Sequence, residues 1–278
     1  MRLPTITAFS AFRHYGLWCL LLLSTSGVAA NQAEPSYTRQ PVAKVVLILD
    51  DIGYRYTDRQ ALALPSQVTF SVLPGAPLAQ ELAHKAQQQG RDIMVHMPME
   101  SQADKQLGPV ALTSSMYPEV ISRTTLAALD SLPMAIGVNN HMGSRLTEQS
   151  LPMQALMQAI KDRGLFFIDS RTTASTVAET VARNMGVPTD RRQVFIDHQH
   201  SPAFMQAQFA RLIKLARQQG SAIGIAHPHP QTLAFLQKII PTLAGSQVKL
   251  VPVSELMAAP QNSPPVEQIA SNVTAALP

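Results

Sequence analysis

Two adjacent carboxylates, Asp50 and Asp51, follow an apolar run and form the most informative pair in this 278-residue chain. Neighbouring carboxylates repel each other, so one of them has a raised pKa unless a cation neutralises the pair. A metal ion does this, and one aspartate can then bind the ion while the other acts as a base. The alternative is structural, since a strand-end aspartate often caps the next turn, here before Ile52 and Gly53.

Histidines supply the second part of the pattern. His96 follows a short apolar run, His141 follows two asparagines, and one proline separates His227 from His229. A lone histidine after a strand is often only a hydrogen-bonded polar residue, but several that converge with an aspartate favour a metal site. Neutral imidazole and carboxylate suit zinc or a similar divalent ion. The close spacing of His227 and His229 leaves open whether both face inward.

The elements that must position these residues alternate between about residues 42 and 257. Eight strands are predicted, at 44–49, 67–73, 92–95, 135–138, 165–168, 193–196, 221–226 and 248–253. Amphipathic helical stretches lie between them, so the sequence predicts an α/β fold whose parallel sheet is a closed or nearly closed barrel. Because the C-terminal ends of parallel strands lie at one face, the polar residues that follow them are expected to converge in one pocket.

The first thirty residues have the features of a secretory signal peptide. A basic lead precedes the apolar run 16–23, and small residues at 28–30 precede a cleavage point at Asn31. The run is shorter than the about 20 residues that a transmembrane helix needs, so no stable membrane span is expected after cleavage. An uncleaved N-terminal anchor is the alternative. In either case the rest of the chain is exported, and the protein is expected to be secreted or periplasmic.

Cysteine chemistry is excluded for the exported part of the chain. The one cysteine, Cys19, lies within the apolar N-terminal run. Disulfides, thiolate nucleophiles and cysteine-bound zinc are therefore ruled out once this segment is removed. Metal or acid–base chemistry must come from His, Asp and Glu.

Polar segments flank the predicted domain. Residues 31–41 are interpreted as a linker, residues 42–257 as one domain, and residues 258–278 as a disordered tail with too little apolar surface to order. The formal charge is only +4, and no cluster of basic residues with interleaved aromatics is present. Nucleic acid is therefore not an expected partner.

Five short strings together resemble the divergent polysaccharide deacetylase family. They are Ile48-Leu-Asp-Asp-Ile-Gly53, His96-Met-Pro-Met-Glu100, Asn139-Asn-His-Met-Gly-Ser144, Ile168-Asp-Ser-Arg-Thr-Thr173 and Ala226-His-Pro-His229. The resemblance covers about residues 42–257. It implies a distorted (β/α) barrel of the type found in the related NodB carbohydrate esterases, with a divalent metal that is commonly zinc. It also implies that Asp50 is the base, that Asp51 binds the metal, and that His227 is the general acid.

The usual second histidine of the metal motif is absent, because Glu100 stands four residues after His96. We infer that His141 supplies the missing ligand beside Asp51 and His96, since an aspartate and two histidines give the three protein ligands of a catalytic zinc site. Other polar residues of these strings are expected to orient the reacting groups or the sugar. They are Glu100, Asn140, Arg145, Asp169 and Arg171, with Asn140 also a candidate oxyanion donor.

The function implied by the resemblance is metal-dependent removal of acetyl groups from an exported polysaccharide or a peptidoglycan-like glycan. Two alternatives remain open. One is a non-catalytic protein that keeps the metal and glycan pocket, which the altered second motif favours. The other is a metal-dependent hydrolase of a different bond, such as a phosphoester, for which the sequence shows no Lys/Arg phosphate clamp.

Overall fold

The computed structural model describes residues 42–103, 105–108 and 110–258. The expected signal peptide, the linker and the tail from residue 259 onward lie outside the described residues. Within them, strands and helices alternate along the chain, as the sequence predicts.

Nine strands form one parallel sheet in the described part of the chain. They are β1 (Ala43–Ile52), β2 (Thr69–Val72), β3 (Ile93–Met99), β4 (Gly137–Met142), β5 (Phe166–Asp169), β6 (Thr189–Arg191), β7 (Val194–Phe195), β8 (Ser221–Ala226) and β9 (Val248–Leu250). The strand order is β6-β5-β4-β3-β2-β1-β8-β7, and β9 pairs with the first residues of β1. No ladder joins β6 to β7 among the described strands, so the barrel is open at this seam. The predicted distorted (β/α) barrel is confirmed.

Helices cover the outer face of the sheet. They are α1 (Ala79–Gln88), α2 (Pro118–Ser131), α3 (Ser150–Asp162), α4 (Ala178–Asn184), α5 (Pro202–Gln219), α6 (Pro230–Ile239) and α7 (Val253–Met257). Proline lies in the first turn of α2, α5 and α6, where its missing N–H leaves no intrahelical bond unmade. In α5, Met205, Phe209, Leu212 and Ala216 recur at helical spacing and are buried against the sheet.

Three strands extend several residues further at their C-terminal ends than the sequence predicts. β1 continues past Leu49 to Ile52 and so includes both aspartates. β3 continues to Met99 and β4 to Met142, with His96 paired to Asn139 and Pro98 paired to His141. The backbone hydrogen bonds between strands continue into the segments with polar side chains. The sequence predicted only the apolar part of each strand, because the prediction rests on apolar runs. The short strand β6 was not predicted, because Thr-Asp-Arg contains no apolar residue.

The alternation of side chains across the sheet separates two cores. On β1, Leu47 and Leu49 pack in the large core between sheet and helices, whereas Val46 and Ile48 lie in the barrel interior. The interior cluster also contains Met94, Phe166, Ile168, Ile223 and Ile225 from β3, β5 and β8. The residue two positions beyond the last interior apolar residue of a strand therefore faces the barrel mouth.

A glycine allows one close approach between the sheet and helix α5. A Cβ atom on Gly224 of β8 would lie 2.8 Å from Leu212 Cδ2 and 3.2 Å from Leu47 Cδ2. Leu47 itself is 1% exposed, and the residue it pairs with on β8 is Gly224. The core between β1, β8 and α5 therefore has no spare volume at this point.

We expect Leu47→Ala to lower the free energy of unfolding by about 2–5 kcal/mol, because it leaves a cavity in a close-packed core. Urea unfolding followed by circular dichroism measures this. The matched control is Leu151→Ala in α3, where the leucine is 63% exposed and the change should be within about 0.5 kcal/mol. Equal effects of the two substitutions would contradict the assignment of Leu47 to the core.

Candidate metal centre and active-site cleft

Polar side chains occupy the last interior position of several barrel strands. Asp50 lies two residues after Ile48 on β1, and His96 lies two residues after Met94 on β3. On β4, Asn139 and His141 lie two and four residues after Gly137. On the other side of β1, His227 follows Ile225 at the end of β8. The same alternation that fills the interior with apolar residues brings these groups together at the mouth.

Three ligand atoms converge at the mouth. Asp51 Oδ1 lies 3.1 Å from His96 Nε2 and 2.8 Å from His141 Nδ1, and the two ring nitrogens are 3.2 Å apart. Ligands bound to tetrahedral zinc at about 2.0–2.1 Å lie roughly 3.3 Å from one another, so this triangle has the size of a metal site. Asp51 Oδ1 is also buried without a hydrogen-bond partner, as expected for an atom placed to bind a cation.

The backbone at Asp51 brings its side chain into this triangle. On a regular strand Asp51 would point away from Asp50, but its φ of 58° is left-handed and turns the chain at this residue. Met142 and Arg171, which border the same cleft, also have positive φ values of 53° and 47°. Such conformations are costly for residues other than glycine and concentrate at functional sites.

Asn139 connects the triangle to Asp50. Its Nδ2 donates to Asp50 Oδ1 at 2.8 Å, and its Oδ1 lies 2.8 Å from His96 Nδ1. Because this oxygen can only accept, His96 must donate from Nδ1, which leaves Nε2 for a cation. Ser71 also donates to the same oxygen at 2.5 Å. Asn139 is fully buried, so the network is shielded from water.

Sequence reasoning did not select Asn139 as a site residue. It chose the adjacent Asn140, whose side chain ties two strand ends together instead. Asn140 Oδ1 accepts from the backbone N–H of Ser170, and its Nδ2 donates to the carbonyl of Met142, each at 2.8 Å. The two asparagines differ in the face of the sheet to which they point. Asn139 is two residues from the interior Gly137 and shares its face, whereas Asn140 is three residues away and points to the opposite face.

The two aspartates have opposite pKa shifts. Burial raises the pKa of Asp50, and the charges of His96 and His227 offset this only in part. For Asp51, burial acts in the same direction, but the imidazoles of His141 and His96, whose nitrogens lie 2.8 and 3.1 Å from its Oδ1, outweigh burial and lower its pKa well below the usual range. Asp51 is therefore the carboxylate that stays ionised, and Asp50 is the one that takes up a proton more readily.

His227 forms a separate pair with Asp197, a residue that sequence reasoning left out of the site. Its Nδ1 lies 3.1 Å from Asp197 Oδ1, while Asp197 Oδ2 accepts from the backbone N–H of His227 and from Thr232 Oγ1. Burial lowers the pKa of His227, but the hydrogen bond and charge of Asp197, with smaller effects of Asp51 and Asp50, raise it to about 9. His227 Nε2 points toward the triangle, 3.9 Å from Asp51 Oδ2.

A second group of metal-binding type consists of Asp197, His227 and His229. Here the carboxylate already accepts three hydrogen bonds. His229 Nδ1 also lies 3.1 Å from the guanidinium of Arg55, whose positive charge opposes a cation. The first triangle is the better metal site for both reasons.

Asp50, His227 and the two histidines of the triangle, His96 and His141, border one cavity of about 500 Å³. A second cavity of about 570 Å³ shares His141 and Met142 with it and is lined by the half-exposed ring of Tyr54. The two form a cleft across the barrel mouth, open enough for an extended ligand.

The remaining residues selected from the sequence lie at different depths. Arg171 lines the cleft. Asp169 is buried beneath it and accepts hydrogen bonds from the Arg171 backbone and Thr176. Glu100 and Arg145 form an ion pair at 3.4 Å to one side, where Glu100 also accepts from Ser114. The structure thus brings Asp50, Asp51, His96, His141 and His227 together and leaves Glu100 and Arg145 away from the cavity lining.

No helix in the described residues is long and apolar enough to cross a bilayer.

Comparisons with known proteins agree with this architecture. The chain is 39% identical over 219 residues to the uncharacterized protein YibQ of Escherichia coli strain K12, covering 78% of this chain and 68% of YibQ. It is 37% identical over 196 residues to an uncharacterized protein of Haemophilus influenzae, covering 70% of each. The crystal structure of protein ATU2773 from Agrobacterium tumefaciens C58 has the same fold, with a TM-score of 0.73 and 22% identity over 79% of this chain and 91% of that one.

A family match covers nearly all of the described domain. Residues 47–257 match the family described as divergent polysaccharide deacetylase, and this range includes each strand-end residue of the cleft. The chain is therefore a member of the divergent polysaccharide deacetylase family.

Proposed function

We propose that this protein is a metal-dependent deacetylase that hydrolyses acetyl amide or ester groups on an exported polysaccharide or a peptidoglycan-like glycan. The observation that carries the proposal is the convergence of three metal-ligand atoms, a buried carboxyl with a raised pKa and a carboxylate-supported histidine around one open cleft. Together these supply what hydrolysis of an acyl group needs.

The ligand set proposed is Asp51, His96 and His141, and zinc is the ion that two imidazoles and a carboxylate suit. When bound there, a divalent ion polarises the acyl oxygen and lowers the pKa of a water molecule. Asp50 acts as the general base, because it lines the cavity beside the ligands and burial raises its pKa, which makes it the stronger proton acceptor of the two aspartates. Asn139 holds Asp50 and His96 in one orientation.

His227 acts as the general acid toward the leaving amine or alkoxide. Asp197 holds it in the protonated form that this role requires, and its Nε2 faces the metal ligands across the cavity. Asn140 and Arg171 line the same cavity and contact the sugar. Asp169 positions the backbone of Arg171, and the Glu100–Arg145 pair supports the outer edge of the site.

The N-terminal segment supports export, and we propose that the domain works outside the cytoplasm, where such glycans occur.

The non-catalytic alternative was favoured by the missing second histidine of the metal motif. The position of His141, 2.8 Å from Asp51 and 3.2 Å from His96, supports a complete ligand set. Asp50 and the His227–Asp197 pair beside that set support catalysis rather than metal binding alone.

We expect His141→Ala to lose stoichiometric binding of zinc, because only two ligands remain, while the fold persists. Asp50→Asn should keep the metal but lower kcat by about 10²–10⁴-fold, the usual contribution of a general base. Metal analysis and release of acetate from a panel of acetylated glycans provide the two measurements.

The control for these variants is His84→Ala, which removes an exposed histidine of α1 that contacts only its own helix. It should match the unchanged protein in both assays. Wild-type zinc affinity in His141→Ala would disprove the ligand set, and full activity of Asp50→Asn on a proven substrate would disprove the base.

We expect Asn139→Ala to lower metal affinity by about 10–100-fold, because the amide that orients a metal-binding histidine is lost. Titration with zinc in the presence of a competing chelator measures this. Asn184→Ala, at the exposed end of α4, is the matched control and should bind zinc normally. An unchanged affinity in Asn139→Ala would show that His96 does not need this contact.

We expect Asp197→Asn to lower the pKa of His227 from about 9 toward the ordinary histidine value of about 6.5. The direction follows because removal of the carboxylate charge destabilises the imidazolium. NMR titration of the ring in the metal-free protein gives the value directly, with Asp130→Asn on the surface of α2 as the control. A midpoint that stays in place would mean that Asp197 does not set the charge of His227.

A further inference from the structure

The 500 Å³ cavity has a predominantly cationic lining. Lys105, Arg171 and Arg192 line it, and Asp50 is the acidic residue in its lining. The sequence showed no Lys/Arg clamp because these three residues are far apart along the chain. The barrel brings them to one cavity, whose lining also includes His96 and His141.

Arg192 is fixed in place without a carboxylate partner. Its Nε donates to the carbonyl of Ser170 and its Nη2 to the carbonyl of Arg171, both at 2.7 Å, and the guanidinium lies 5.1 Å from the ring centre of Phe195. Carbonyl oxygens satisfy hydrogen bonds but do not neutralise the charge. Among the described residues, no carboxylate oxygen lies within 4.0 Å of a side-chain nitrogen of Arg192, Arg171 or Lys105.

Arg171 is held at the cavity by its backbone. The left-handed φ of 47° is stabilised by Asp169, whose Oδ1 accepts from the Arg171 N–H at 2.8 Å. Asp169 also accepts from Thr176 and is fully buried, so it supports the loop but does not pair with the guanidinium. A strained residue that presents an unpaired guanidinium to a cavity is expected to serve ligand binding.

The charges of the cavity do not balance once a metal is bound. A divalent ion held by Asp51, His96 and His141 would compensate Asp50 and Asp51. The buried carboxyl of Asp169 would offset one guanidinium, so the three cationic residues still leave an excess of positive charge around the cavity. We propose that these cationic residues form an anion subsite that binds a carboxylate or phosphate substituent of the glycan, within one sugar unit of the acetyl group that is removed. This inference rests on the proposed deacetylase function and makes the substrate an acidic glycan.

The test measures binding of three matched sugars to the zinc-loaded protein by calorimetry. N-acetylglucosamine is neutral, N-acetylmuramic acid adds a carboxylate to the same ring, and N-acetylglucosamine 6-phosphate adds a phosphate. We expect at least one anionic sugar to bind about tenfold more tightly than the neutral one, as charged hydrogen bonds allow. The tighter of the two identifies the substituent, and the preference should weaken as salt is added.

Arg171→Gln should weaken binding of the anionic sugar far more than binding of N-acetylglucosamine, and so abolish most of this preference. Arg123→Gln removes the same charge from the exposed face of α2 and should keep the preference. Equal affinity for all three sugars, or a preference that survives Arg171→Gln, would overturn the anion subsite.

Acetate release, measured in parallel, separates this inference from the proposed function. A retained anion preference without acetate release from any acetylated glycan would contradict only the deacetylase. Acetate release without an anion preference would contradict only the subsite.

Discussion

The strict alternation of side chains along parallel strands is the constraint on which the rest of the structure depends. Each strand of the barrel places every second residue in the interior, and β1, β3, β5 and β8 use Val, Ile, Met and Phe there. The next interior position on several strands is polar, so the apolar filling ends in one layer of Asp50, His96, Asn139 and His227. A one-residue shift of any strand would remove its polar group from the site and place it among the helices.

Asn139 holds the side chains of this polar layer in fixed orientations. A buried amide with both ends satisfied is stable in a low-dielectric interior, whereas a half-satisfied one is costly. Asn139 meets this condition by joining His96, Asp50, Ser71 and Ser170. Asp50, the proposed base, and His96, a proposed metal ligand, are consequently oriented by the same side chain, which couples their positions. Burial then raises the pKa of Asp50, while the adjacent histidines keep that of Asp51 low.

The strand register explains how the proposed ligand set is complete without a second histidine after β3. His96 pairs with Asn139 on the neighbouring strand, so the next interior residue of β4 is His141. Its Nδ1 reaches within 3.2 Å of His96 Nε2 because β4 continues beyond that pair to Met142. Glu100, at the usual position of the lost histidine, instead forms contacts with Ser114 and Arg145. In the proposed ligand set, the third ligand therefore comes from β4, the strand beside β3.

The sequence by itself determined the α/β barrel and the residue types of the site. Apolar runs of strand length, separated by amphipathic helices, indicate parallel strands buried on both faces, and polar strings after them mark the mouth. The sequence did not distinguish Asn139 from Asn140. Which of them points into the barrel is known only once the strand's extent and the face it turns to the interior are known. The sequence also did not predict roles for Asp197 and Arg192, because each role depends on a contact with a distant part of the chain. Asp197 contacts His227, and Arg192 donates to the carbonyls of Ser170 and Arg171. Tertiary structure decided these roles, since hydrogen bonds and charge compensation depend on distances in space that spacing along the chain does not specify.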